Sequence, residues 1–415
     1  MSEHEMLKQR AKAPGVRPIS STDATLQRNF NVALRDQLNA LLSSVPDGET
    51  ASTVNQKVSS VVKQMLEEDL THEQWVEAFS EMNIALLSSY KKAPLTEEDK
   101  STSFINATGH VVSVKDCINT VNDIYRVKAF IRGFDQALAA QPENKVLHVV
   151  YPACGPFAPL LLPLLSYYKN QVGMLQRFKV SLIDIQPGAI KVLQQAIEDL
   201  ELTECEITTH CMDVMDYKPD EGIDLVVMEA MQHGFTREGH LAFLLHLRPF
   251  MNEDCRLLPE KISVRACLSN TEREYNEQWN EQERVHSDLV NEAIQQQRID
   301  LGEILEVSKA TLDKMQVLPL GDSIEMVECN QIVIPKGIPD ISEKTLLITA
   351  VATVFGEESI DEYDSGISLP LPDMSICIDF KPQVPEPDDL LVKSGDKLKF
   401  YYKMGSTPGL LPTVA

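Results

Sequence analysis

No stretch of this 415-residue chain approaches the run of roughly 18 apolar residues that crosses a membrane as a helix. The polar segment Met1 to Arg17 holds no apolar core of signal-peptide length, so the expectation is a soluble, cytoplasmic protein. Basic residues are scarce as well: 38 Lys and Arg stand against 62 Asp and Glu, a net charge of −24. No Lys/Arg-rich block interrupts that excess. A polyanion needs a basic footprint, which argues against nucleic acid as a partner. An acidic field favours cationic small molecules or basic peptides, or is simply a solvated surface. The eight cysteines are scattered, with no Cys-x-x-Cys pair, so no metal site is expected and the thiols read as reduced and mostly buried. Internal repeats and low-complexity tracts are absent.

What is present is ample apolar material, 43% of residues, enough for two or three domains with packed cores. Residues 1–24 lack periodicity and read as a loose tail. Apolar residues at helical spacing over 26–45, 54–66 and 75–87 predict a helical domain across 25–100; Trp75 reads there as a core anchor. After a further helical pattern over 111–138, residues 101–258 alternate strands and helices. Strands are expected at 146–150, 179–184, 205–210 and 223–228, with helices over 160–168 and 189–200. This grammar predicts an α/β doubly wound, Rossmann-like parallel sheet. Residues 259–415 carry short β-patterned runs (262–268, 324–333, 346–355, 376–380, 397–402) and read as an antiparallel, β-barrel-like domain. A long charged segment, 271–314, reads as a helical insertion, either a dimerisation arm or a solvated hairpin.

The chemistry concentrates at the ends of the predicted parallel strands, where open α/β sheets build their sites. Behind the first strand, Tyr151-Pro152-Ala153-Cys154-Gly155-Pro156-Phe157 occupies the place of a glycine-rich turn, although Gly155 is its one glycine. Asp184 ends the second strand, where a carboxylate can accept from both hydroxyls of a ribose. Met212 and Asp213 follow the third, where either can meet a base. Each aspartate alone also suits a helix cap or turn; their recurrence at successive strand ends points to a ligand. The shortage of glycine argues against a pyrophosphate and for a nucleoside without phosphates.

Behind the fourth strand stand Glu229 and Glu238, in Glu-Ala-Met-Gln-His-Gly-Phe-Thr-Arg-Glu. Two carboxylates there can grip a planar guanidinium through paired, charge-assisted hydrogen bonds; an exposed acidic loop is the plainer alternative. His233 and His240 flank the pair and read as surface or packing residues. Arg126 and Arg132, on the helix before the first strand, are either ligands for a carboxylate or ordinary helix-surface charges.

Val-Val-Tyr-Pro-Ala-Cys-Gly-Pro-Phe, Leu-Ile-Asp-Ile, Ile-Asp-Leu-Val-Val-Met-Glu with Glu-Gly-His following, and Leu-Arg-Pro-Phe-Met-Asn-Glu-Asp-Cys-Arg-Leu-Leu-Pro-Glu-Lys together resemble the core of protein arginine methyltransferases, S-adenosylmethionine-dependent enzymes of class I. The resemblance runs from about Val111 to the carboxyl end. It departs at Ala153, where the family has glycine, and in lacking the family's Thr-His-Trp loop and the aromatic pair that covers the cofactor. It implies S-adenosyl-L-methionine held at Arg126, Tyr151, Ala153, Gly155, Asp184, Met212 and Asp213. Glu229 and Glu238 would be the catalytic pair; a homodimer is expected separately, because the apolar positions of 271–314 would otherwise project with no core to cover them. The departures and the added helical domain favour free L-arginine as acceptor, as in the free-arginine Nω-methyltransferases of nitrosourea biosynthesis. Two alternatives stay open: another acceptor, including protein arginine, or a non-catalytic interaction protein with a degenerate cofactor loop.

Overall fold

The computed structural model describes residues 50–270, 292–320 and 324–415. The expected tail, the helix over 26–45 and residues 271–291 of the insertion lie outside them.

Helix α1 (Ala51–Glu67) starts where the Thr50 side chain accepts from the Thr53 N–H. Helix α2 (His72–Lys92) starts at a capping box of Thr71 and Gln74, which satisfies backbone donors that the first turn leaves open. Between these helices and the sheet lies a short hairpin, β1 (Phe104–Ile105) and β2 (His110–Val111), which ends at Val111, where the helical pattern was expected to begin. After two short helical turns the helical pattern is met by α3 (Ile124–Ala139).

There follow β3 (Leu147–Pro152), α4 (Leu162–Tyr168), β4 (Phe178–Asp184), α5 (Pro187–Asp199), β5 (Glu206–Cys211), β6 (Ile223–Val227), α6 (His240–Leu247) and β7 (Met251–Leu258). They form a parallel sheet of order β5-β4-β3-β6-β7. The strand order therefore reverses beside β3, and the crevice at the carboxyl ends of β3 and β6 is where such sheets bind ligands. β7 escapes the apolar pattern because it is an edge strand whose first four residues stay partly or fully exposed.

The helical pair packs onto this sheet's own helices, α1 on α4 and α2 on α5. Asn55 donates to the Leu200 carbonyl at 2.8 Å and Ser166 Oγ at 3.2 Å. Buried Asp199 accepts from Ser89 Oγ at 2.7 Å and Lys92 at 3.0 Å. Such filled networks are needed here, since buried polar groups without partners cost about 1–3 kcal/mol.

The remaining strands are β8 (Lys261–Ser269), β9 (Ile299–Ser308), β10 (Val317–Leu320), β11 (Ile324–Val333), β12 (Thr345–Phe355), β13 (Glu358–Ile360), β14 (Leu371–Asp373), β15 (Ile376–Ile378), β16 (Leu390–Val392), β17 (Lys397–Met404) and β18 (Gly409–Val414). Two open antiparallel sheets result, β13-β12-β8-β9 with β14 also on β12, and β10-β11-β17-β18; β15 and β16 form a small parallel pair. The described strands do not close into the barrel that was expected. The helical reading of the insertion also fails over 299–308: Leu301 and Leu305 have helical spacing, but β8 offers a ladder, Val264 opposite Leu305, and that pairing makes the segment a strand. Gly133 on α3 approaches β12 so closely that a Cβ would meet Val354 Cγ1 at 2.7 Å, which ties this half to the parallel sheet. No helix among the described residues is long and apolar enough to cross a membrane.

Candidate active site at the carboxyl edge of the parallel sheet

The turn leaving β3 holds Ala153 at φ 49° and Gly155 at φ 67°. Both sit in the left-handed region, which costs an alanine about 1 kcal/mol or more and a glycine little. The glycine shortage noted in the sequence is thus a strain the backbone accepts. Nothing lies within 4 Å of where a Gly155 Cβ would stand, so the space above the turn is open. The Gly155 N–H donates to Asp184 Oδ2 at 2.9 Å and the Gln186 N–H to Oδ1 at 2.8 Å. Burial pushes the Asp184 carboxyl up to about 6 against the pull of those two donors.

Asp213 does two jobs. Its Oδ1 accepts from the Met215 N–H at 3.0 Å, a cap, and its Oδ2 from Asn106 Nδ2 at 3.1 Å. Asn106 belongs to the β1–β2 turn, where its Oδ1 accepts from the Thr108 and Gly109 N–H groups at 2.9 and 3.0 Å. The hairpin thereby roofs the crevice. It is held at both feet by Gln186, whose Nε2 donates to the Thr102 and Val112 carbonyls at 2.7 and 3.1 Å. Over the far wall the His110 N–H donates to the Arg237 carbonyl at 2.8 Å, and a Cβ on Gly109 would meet that carbonyl at 2.5 Å.

Beneath this roof lies a cleft with about 110 Å³ of free volume, lined by Ala153, Gly155, Asp184, Asp213 and Glu238 among the expected residues. Val111, Val114 and Phe243 give it apolar walls, and among the described residues no Lys or Arg lines it. The set suits a nucleoside bearing positive charge and would repel a polyphosphate. Ligand pockets usually run to roughly 300–1,000 Å³, so a ligand of that size requires the roof to lift.

The two glutamates are treated differently by their shared loop. Glu238 faces the cleft; its Oε1 accepts from Gln232 Nε2 at 3.0 Å, and no described group donates to Oε2. Burial, reinforced by Glu229, pushes its carboxyl up to about 7. Glu229 lies deeper. Its Oε1 accepts from the Met231 N–H at 3.1 Å and its Oε2 from Arg126 at 2.5 Å. Burial raises its carboxyl and the Arg126 guanidinium pulls it back.

Arg126 does not line the cleft. Its guanidinium bridges Glu229 and, at 3.3 Å, Asp123; burial opposes its charge, but the two carboxylates outweigh that and raise its pKa. Its Nε is buried and has no hydrogen-bond partner among the described residues. Arg132 is remote, donating to the Met65 and Glu68 carbonyls at the end of α1, a favourable position for a cation. Tyr151 is buried on β3 below the site, and Met212 is 36% exposed outside the cleft. His240 is buried, its Nδ1 accepts the Ala230 N–H at 3.4 Å, and burial lowers its pKa to about 3, so it is a neutral brace. Half-buried His233 is likewise lowered, by burial and then by Arg237. No group of three or more potential metal ligands occurs among the described residues.

Asn106, Gln186 and Gln232 were not anticipated. The first had a signal: Asn106-Ala-Thr-Gly109 is turn chemistry between two short β-prone runs. The two glutamines had none, because their roles depend on partners 84 and 6 residues away.

No protein-family model matches the sequence, and no curated protein matches it. Among solved structures, the chain is similar to one in the Trypanosoma brucei PRMT1 enzyme-prozyme heterotetrameric complex with AdoHcy. The identity is 15% and the TM-score 0.39, over 72% of this chain and 92% of that one.

Proposed function

We propose that this chain is an S-adenosylmethionine-dependent N-methyltransferase acting on a guanidino group, with free L-arginine as the favoured acceptor. The observation that carries the reading is the cleft's charge: among the described residues, Asp184, Asp213 and Glu238 line it without a Lys or Arg. A cationic nucleoside and a cationic acceptor both suit such a lining. When bound, the cofactor would supply an electrophilic methyl group on a positively charged sulfur.

The chain's own residues would then act as follows. The open space over Gly155 admits a nucleoside, and Asp184, with its two backbone donors in place, retains lone pairs for ribose hydroxyls. Asp213 would offer its Oδ2 to the base once Asn106 withdraws. Glu238, through its free Oε2, would grip the acceptor guanidinium and draw positive charge away from the nitrogen aimed at the methyl group. Preorganised charge of this kind, with in-line positioning, supplies most of the acceleration. Glu229, already holding Arg126, would fix that wall electrostatically. The hairpin roof favours a small acceptor over an extended peptide, which needs an open groove.

Labelled S-adenosylmethionine incubated with arginine, other guanidino compounds and arginine-rich peptides, followed by mass spectrometry, tests the proposal. Label in free arginine above peptide is expected. Label only in compounds without a guanidino group would overturn it, and absence of cofactor binding by calorimetry would favour a non-catalytic interaction protein.

A further inference from the structure

We infer that Gln232 is the positioning residue for Glu238, the amide that fixes which carboxylate oxygen is left to meet a cation in the cleft. The inference rests on the reading of Glu238 as the acceptor-gripping group. Gln232 sits on a tight rung of the loop, its N–H donating to the Thr236 carbonyl at 3.0 Å and its carbonyl accepting from the Thr236 N–H at 3.2 Å. The Glu238 N–H reaches that same Thr236 carbonyl at 2.9 Å. The backbone thus brings the Gln232 and Glu238 side chains onto one side of the loop.

The orientation of the amide follows from its neighbours. Arg237 Nη1 lies 3.4 Å from Gln232 Oε1, and a guanidinium can only donate. The oxygen of Gln232 therefore faces Arg237, and its NH₂ faces Glu238. Gln232 stands between a cation and a carboxylate that lie next to each other in sequence. No ion pair joins Arg237 to Glu238 among the described residues. A direct pair would occupy Glu238 with a guanidinium of the protein's own, as Arg126 occupies Glu229. With Gln232 interposed, Oε1 is held by a neutral donor and Oε2 stays open.

The other groups facing Glu238 are Glu229 on its own loop, Arg126 on α3, Cys117 in the short helix 114–117 and Tyr402 on β17. Arg126 opposes Glu229, and Cys117 and Tyr402 are held neutral by burial. The Gln232 hydrogen bond, ahead of Arg126, is the strongest interaction favouring the ionised form of Glu238.

The test is a titration of Glu238 in the full chain by isotope-edited infrared or carbon NMR, with Glu238→Gln identifying the signal. Gln232→Met keeps the length and fills the space but removes the donor. Gln232→Glu keeps a partner for Arg237 and adds a like charge. The Glu238 midpoint, near 7 in the parent, should rise by about one pH unit in Gln232→Met, a tenfold change in proton affinity. It should rise further in Gln232→Glu. The acid limb of the kcat profile should move by the same amount, with cofactor affinity unchanged and turnover recovering at high pH. An unmoved midpoint in both folded variants overturns the inference. So does a loss of activity at every pH with a lower melting temperature and no change in the limb. A shifted midpoint in a protein that methylates no guanidino compound upholds the positioning and instead removes the proposed function.

Discussion

Glu229 and Glu238 are nine residues apart on one loop, yet replacing each with Gln should have opposite consequences for stability. Glu229→Gln leaves Arg126 with Asp123 alone; breaking a buried pair costs roughly 3–5 kcal/mol when the remaining charge is uncompensated, and Asp123 will offset part of that. Glu238→Gln removes a carboxyl whose folded pKa of about 7 stands above the ordinary 4.5. A group that holds its proton more tightly when folded favours the native state at low pH, and that benefit is lost as pH rises from about 4.5 through 7. Asp184, up from 3.8 to about 6, works in the same direction. Calorimetric melts should therefore show the parent losing stability across this window. Glu238→Gln should match the parent near pH 4 and exceed it at pH 8, while turnover falls at least tenfold and cofactor affinity holds. Asp184→Ala should weaken S-adenosylmethionine binding by about 1–3 kcal/mol. It would also orphan the Gly155 and Gln186 N–H groups, so the folded state must be verified alongside. Unchanged affinity removes Asp184 from the site.

Among the elements, the β1–β2 hairpin governs access. Its latch is the 3.1 Å contact between Asn106 and Asp213, and a part-buried hydrogen bond to a carboxylate contributes about 1.5–3 kcal/mol. Asn106→Ala should therefore speed cofactor association by about tenfold or more in stopped-flow measurements, with dissociation changing less. An unchanged association rate would show that the roof opens elsewhere. The hairpin also marks the limit of what periodicity reveals. The parallel strands β3, β4 and β6 read out of the sequence within a residue or two, because each is a continuous apolar run buried on both faces, whereas β5, read just as closely, is partly exposed along its length. Asp184, Asp213 and Glu238 were visible for the same reason, as polar residues punctuating those runs. A hairpin of two-residue strands leaves no period, the edge strand β7 is too polar, and β9 has an apolar spacing that serves helix or strand until β8 supplies its partner. The engagement of Glu229 by Arg126 was hidden because it joins residues 103 positions apart.

Over the whole molecule, the acidic excess of 24 charges and the exposed apolar edge β10 act together on association. Val317, Leu318 and Leu320 are 37%, 39% and 51% exposed on a sheet edge, and such an edge is a template for pairing. A homodimer is the expected state, visible by light scattering at micromolar concentration and tightening as salt screens the repulsion between two acidic chains. The double variant Leu318→Lys and Leu320→Lys should be monomeric. A parent that is monomeric at all salt concentrations would contradict this.

Of the eight cysteines, six are buried, Cys117 is half-buried, and Cys211 alone is exposed. It pairs in register with Asp184 at the end of β5, one residue before Met212 on the rim of the roofed cleft. Burial and then Asp184 raise its thiol, so it will react slowly with a maleimide at neutral pH and readily in mild alkali. The native chain thus already carries a single attachment point for a dye or spin label, placed to watch the roof rise and fall.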